Sequence, residues 1–135
     1  MNIKVGLNGF GRIGRYLARL LMQDDDLELT SVNARADNES YAHMFKYDSV
    51  FGKYPGEVSY SQDGLIVDGK TIQITRWAKP GDSKWDDAGC DIVVEATGKF
   101  RDRESCQQHL NNGPRKLIIS APGKDADVTI CPNVN

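Results

Sequence analysis

The segment Gly9-x-Gly11-x-x-Gly14 constrains this chain more than any other feature, because of what stands on either side of it. Ile3 to Leu7 is a short apolar run with one lysine, which predicts a buried strand entering a glycine turn. From Arg12 to Gln23 the period changes. Ile13, Leu17, Leu20 and Leu21 fall at i, i+4, i+7 and i+8, and predict one apolar helical face. Asp24-Asp25-Asp26 ends that pattern, and Leu27 to Asn33 resumes strand character. Strand, glycine turn, helix and strand within about thirty residues make a βαβ unit. In that setting Gly9 permits a tight turn, Gly11 lets the backbone approach a pyrophosphate, and Gly14 lets helix and strand pack closely. The diphosphate would rest on the amides that open the helix, where orphan N–H groups and the helix dipole favour an anion. The expectation is dinucleotide binding; the alternative is a set of glycines that serve packing alone.

The rest of the chain continues the alternation. Asp37 or Asn38 can cap a second helix carrying Tyr41, Met44 and Phe45 at i, i+3 and i+4. Between Gly56 and Thr75 two turn signals, Asp63-Gly64 and Asp68-Gly69, predict an antiparallel hairpin inserted beside a parallel sheet. Pro80 to Gly89 reads as a loop pinned by Trp85. Asp91 to Glu95 is a further strand, Asp102 caps a helix that stops before Asn112-Gly113-Pro114, and Lys116 to Ser120 is another strand. Val128 to Ile130 reads as a last short one. The pattern predicts an α/β fold of Rossmann type: a doubly wound, mostly parallel sheet with a small antiparallel insertion.

Length and charge limit the partners. At 135 residues, one domain over residues 1–135 is expected. Seventeen basic against 19 acidic residues give a net charge of −2, which offers no footing for nucleic acid or an acidic membrane surface. No apolar run reaches the roughly 18 residues of a membrane span. The start lacks the pattern of a signal peptide, and the three cysteines include no CxxC pair. These features predict a soluble, cytoplasmic protein without a disulfide framework or metal site.

In open α/β sheets ligands bind outside the carboxyl ends of the strands. Four predicted strands end in small or polar residues: Asn8-Gly9, Asn33-Ala34, Thr97-Gly98 and Ser120-Ala121. Such residues leave room for a cofactor, and Thr97 and Ser120 offer hydroxyls.

Asn8-Gly9-Phe10-Gly11-Arg12-Ile13-Gly14-Arg15 closely resembles the opening motif of the glyceraldehyde-3-phosphate dehydrogenase family, with erythrose-4-phosphate dehydrogenases as near relatives. Lys46-Tyr47-Asp48-Ser49-Val50-Phe51-Gly52, Val67-Asp68-Gly69-Lys70, Lys84-Trp85, the segment Asp91 to Gly98, and Ile119-Ser120-Ala121-Pro122 match in the same order. The resemblance implies that Asn8, Gly9, Phe10, Gly11, Arg12 and Ile13, with Gly14 behind them, meet the pyrophosphate and adenosine of NAD or NADP. It places Thr97, Gly98 and Phe100 on the adenine and ribose side, and Ser120, with Ala121 beside it, near the nicotinamide. It further implies NAD(P)-linked oxidation of a small phosphorylated aldehyde with phosphate as cosubstrate, in a homotetramer. The family's nucleophilic cysteine and its histidine lie in segments that this chain lacks. The chain is therefore expected to bind cofactor without turning substrate over. The alternatives are a free-standing dinucleotide-binding or regulatory module, or the same half of a semialdehyde-type dehydrogenase.

One position departs from the family pattern. An NAD-preferring site commonly carries an acid about twenty residues beyond the glycine turn, on the ribose hydroxyls. The family reads Asn-Asp there; this chain reads Asn33-Ala34-Arg35. Without the carboxylate a 2′-phosphate meets no repulsion, and Arg35 can pair with it. The expectation is acceptance of NADP. Cys90, Cys106 and Cys131 read as structural, and His43 and His109, with no Cys, Asp or Glu at ligand spacing, as surface or partly buried side chains.

Overall fold

The computed structural model describes residues 2–134. Its first half builds the expected unit: strand β1 (Ile3–Asn8), helix α1 (Arg12–Met22) and strand β2 (Leu27–Asn33), with β1 and β2 parallel. Helix α2 (Asn38–Lys46) follows, its first turn closed by Asp37, whose carboxylate accepts from the Ser40 N–H. Then come β3 (Val58–Tyr60), β4 (Gly64–Val67) and β5 (Lys70–Thr75), two single turns of 3-10 helix at Pro80–Asp82 and Trp85–Ala88, and β6 (Ile92–Glu95). Helix α3 (Arg103–Leu110), capped by Asp102 on the Ser105 N–H, leads to β7 (Lys116–Ile119).

The seven strands form one sheet in the order β3-β4-β5-β2-β1-β6-β7. Pairs β5–β2, β2–β1, β1–β6 and β6–β7 are parallel, so their carboxyl ends share an edge. The hairpin is more than an insertion. Strand β5 is antiparallel to β4 and parallel to β2, so it extends the parallel sheet as well as closing the hairpin. Successive residues of a strand face opposite sides of a sheet. Val94 joins the main core with Leu7, Leu29, Val32, Phe45 and Ile72, while Val93 joins a second cluster with Trp85 and Cys90. Both faces of the sheet are therefore covered, which is what a doubly wound fold requires.

Three expectations are corrected here. Helix α1 buries only part of the face that its apolar spacing marks: Leu21 is buried and Leu17 packs against the core, but Ile13 and Leu20 are exposed, and Gly14 and Ala18 turn inward in their place. The small side chains let α1 lie close to the turn, and a Cβ on Gly14 would stand 2.3 Å from the Gly9 carbonyl oxygen. Val128 to Ile130 forms no strand and is exposed, because none of the β-pairing reaches it. His109 is buried and paired with Glu95, since α3 packs its inner side over the end of β6.

Candidate functional site

The strand ends at the parallel edge enclose a cleft of about 220 Å³. Among the predicted residues it gathers Asn8, Gly9, Phe10, Asn33, Ala34, Arg35, Thr97 and Phe100. Tyr41, Trp77, Ala78 and Lys99 join them unforeseen. Trp77 follows β5, whose carboxyl end reaches this edge only through its parallel pairing with β2. Gly11, Arg12, Ile13, Gly14, Gly98, Ser120 and Ala121 lie outside the cleft's lining.

The turn itself is built around Gly9, at φ 107°, where a Cβ would stand 2.9 Å from the Ala96 carbonyl carbon and the Thr97 nitrogen. A side chain is thus excluded twice, by conformation and by space. Phe10 is buried and meets Tyr41 edge to face, with ring centres 5.2 Å apart, so it anchors the turn from the core side. Over Gly11 the space is open: a Cβ there meets nothing within 4 Å. Gly11 also starts α1 without a side-chain cap, and the first turn holds no acid. Helices α2 and α3, by contrast, each carry an aspartate cap and a glutamate in that turn. The first amides of α1 are left for an outside acceptor, in the geometry that suits a phosphate.

Arg12 turns away from the cleft and makes a two-pronged bond to Asp48, at 2.8 and 3.3 Å. The same carboxylate accepts from the Val50 and Phe51 amides. The Phe51 N–H above all, then the Val50 N–H, with Arg12 adding, hold the Asp48 carboxyl down to about 2. Ala34 is buried, and Arg35 lines the cleft with an exposed head that is in none of the ion pairs among the described residues. The Tyr41 hydroxyl accepts from the Arg35 and Ala36 amides, at 3.0 and 2.9 Å, and so fixes the backbone from which Arg35 extends.

Beneath the cleft runs a buried polar chain. The Glu95 carboxylate accepts from Asn8 Nδ2, from the Thr97 amide and hydroxyl, and stands 3.0 Å from His109 Nε2. Burial pushes its carboxyl up, but the bonds from His109, Thr97 and Asn8 outweigh that and leave it below the usual carboxylate range. The Thr97 hydroxyl donates its proton to this carboxylate, and its oxygen accepts from the Lys99 amide. Ser120 is exposed, and its hydroxyl and amide both donate to the Glu95 carbonyl.

None of the three cysteines occupies this site. Cys90 and Cys106 are buried, and burial raises both thiols, that of Cys106 to about 11. Cys131 is exposed. Among the described residues no group of three or more His, Cys, Asp or Glu is placed to hold a metal, and no helix is long and apolar enough to cross a membrane.

Comparison with known proteins agrees with this geometry. Residues 3–103 match the family described as glyceraldehyde 3-phosphate dehydrogenase, NAD binding domain. Glyceraldehyde-3-phosphate dehydrogenases of Streptomyces coelicolor and Geobacillus stearothermophilus are each 46% identical to the whole chain, and that of Thermotoga maritima is 44% identical over 94% of it. The chain spans about two fifths of the length of these relatives, 40%, 40% and 39% respectively.

Proposed function

Because the chain belongs to the glyceraldehyde 3-phosphate dehydrogenase family, in its NAD-binding domain, we propose that residues 1–135 form the unit that holds a dinucleotide for the oxidation of a small phosphorylated aldehyde, with phosphate as cosubstrate. The observation that carries the reading is the start of α1, where uncapped amides and the open space over Gly11 adjoin the cleft. The pyrophosphate lies on the amides of Gly11, Arg12 and Ile13. The adenosine enters the cleft between Ala34, Trp77 and Phe100. At about 220 Å³ the cleft is smaller than the roughly 300–1,000 Å³ of enclosed ligand pockets. It takes half of a dinucleotide, and the nicotinamide half runs along the strand ends towards Ser120 and Ala121. The bound cofactor supplies the hydride acceptor. This chain supplies position, and none of its three cysteines lines the cleft.

A second reading concerns which dinucleotide binds. Ala34 puts no carboxylate in the cleft, and Arg35 and Lys99 both line it. A 2′-phosphate on the adenosine ribose would meet two cations and no repulsion, so NADP is accepted alongside NAD. Titration of the chain and of Ala34→Asp with both cofactors tests this. The substitution is expected to shift the ratio of affinities towards NAD by roughly ten-fold or more. An unchanged ratio contradicts it.

The assembly is read as a homotetramer in the cytoplasm. In support, Ile13, Tyr16 and Leu20 form an exposed stripe on α1, and Tyr16 stacks on exposed Phe51 at 4.1 Å between ring centres. Such an apolar surface suits a second copy of the chain.

A further inference from the structure

The buried chain beneath the cleft has a direction that its two ends impose. At one end the backbone of Trp77 donates its N–H to Asn33 Oδ1, 2.7 Å, and accepts from Asn33 Nδ2, 2.9 Å. A backbone N–H only donates and a carbonyl only accepts, so the Asn33 amide has one possible orientation. Thr75 Oγ1 adds a second donor to Asn33 Oδ1. Asn33 Nδ2 also donates to Asn8 Oδ1 at 2.8 Å, which leaves Asn8 Nδ2 facing Glu95. At the other end the indole N–H of Trp85 meets His109 Nδ1 at 3.0 Å. An indole N–H only donates, so Nδ1 carries no proton and Nε2 does. His109 Nε2 and Asn8 Nδ2 stand 3.4 Å apart, two donors sharing Glu95 Oε1. The other carboxylate oxygen takes the Thr97 amide and hydroxyl.

Four donors, Asn8 Nδ2, His109 Nε2 and the amide and hydroxyl of Thr97, thus converge on one side chain. We propose that Glu95 is the positioning residue of the cofactor cleft: an acceptor on all sides which, with His109 held as its Nε2–H tautomer by Trp85, aims the polar groups at the ends of β1, β2 and β6. This rests on the cleft being the dinucleotide site. A glutamine at 95 has the same shape but turns an NH2 towards donors whichever way it faces. Facing Thr97, it orphans that amide and reshapes the loop after β6. Facing Asn8, it requires the Asn8 and Asn33 amides to reverse, against the Trp77 backbone, and His109 to change tautomer, against Trp85.

The test joins nitrogen-15 NMR of His109 with titration by NAD and NADP of the chain, Glu95→Gln, His109→Leu and His109→Gln. The expected result is a protonated Nε2 and a bare Nδ1 in the unaltered chain. Glu95→Gln should bind roughly ten-fold or more weakly while keeping its circular dichroism. His109→Leu should also weaken binding, and His109→Gln, which keeps one donor and one acceptor, should recover it. A proton on Nδ1, or a folded Glu95→Gln binding as the parent does, overturns the proposal. If Glu95→Gln does not fold, equal affinities of the two His109 variants overturn it instead. An unaltered chain that binds neither dinucleotide overturns the cofactor reading itself and the proposal with it, and the His109 spectrum tells this failure apart from the others.

Discussion

At the scale of single residues, burial decides what each reactive group can do. Cys90 and Cys106 are buried with raised thiols, and Cys131 is exposed. Reaction with iodoacetamide near pH 8 is expected to label Cys131 quickly and the other two only on unfolding; three equally fast labels would contradict the packing around β6 and α3. The thiolate is the reacting form, so both burial and a raised thiol slow the reaction. Other residues were harder to read in advance. The glycines, Asn8, Asn33 and Ala34 announce themselves because spacing from the turn carries their meaning. His109 does not. It sits in the polar stretch Gln107-Gln108-His109, and its partner Glu95 lies at the end of a separate strand. Only the seating of α3 on β6 joins them, and no local pattern encodes that seating.

Helices and turns behave in the same way. Asp48 ties the turn after α2 to the start of α1 through Arg12 and two backbone amides. Its carboxyl is lowered from 3.8 to about 2 in the folded chain. A lowered folded value means that the stabilisation is fully present above pH 3.8 and is lost as pH falls towards about 2. Asp48→Asn is expected to be less stable at neutral pH and to lose part of the acid dependence across that window, as thermal melts at several pH values will tell. A parallel acid limb in both proteins would contradict it. The caps give a simpler case. Asp37→Ala and Asp102→Ala should each lower the melting temperature by about two to five degrees; no change would mean that water replaces the cap. Both caps were legible as Asp before a periodic run, and α1 as a helix was legible too. Its buried face was legible only in part. Apolar spacing marks a stripe of Ile13, Leu17, Leu20 and Leu21, of which Leu17 and Leu21 do face the core, whereas close approach to the Gly9 turn selects Gly14 and Ala18 over Ile13 and Leu20. Contact distance outweighs hydrophobicity there, and periodicity carries no information about distance. The end of β5 is hidden for a related reason: a hairpin strand that is also a parallel partner looks antiparallel in sequence, and nothing local marks Trp77 as following a parallel strand end.

For the molecule as a whole, the two faces of α1 divide the work. The inner face seats the glycine turn, and Ile13 and Leu20, which their spacing assigned to the core, are exposed in a stripe with Tyr16 on the side that carries Phe51. If that stripe joins copies of the chain, sedimentation should reveal concentration-dependent association that Phe51→Asp weakens. A monomer at every concentration would remove the support this surface gives to a tetramer. The central claim is narrower: one dinucleotide lies across the start of α1 with its adenosine in the cleft between β2, β5 and β6. Nitrogen–proton correlation spectra of the labelled chain, recorded during titration with NADP and then NAD, test it most directly. Saturable shifts are predicted at the amides of Gly11, Arg12 and Ile13, at Ala34 and Arg35, and at Thr97 to Phe100. A folded chain whose amides at these positions stay unmoved by either dinucleotide would contradict the account.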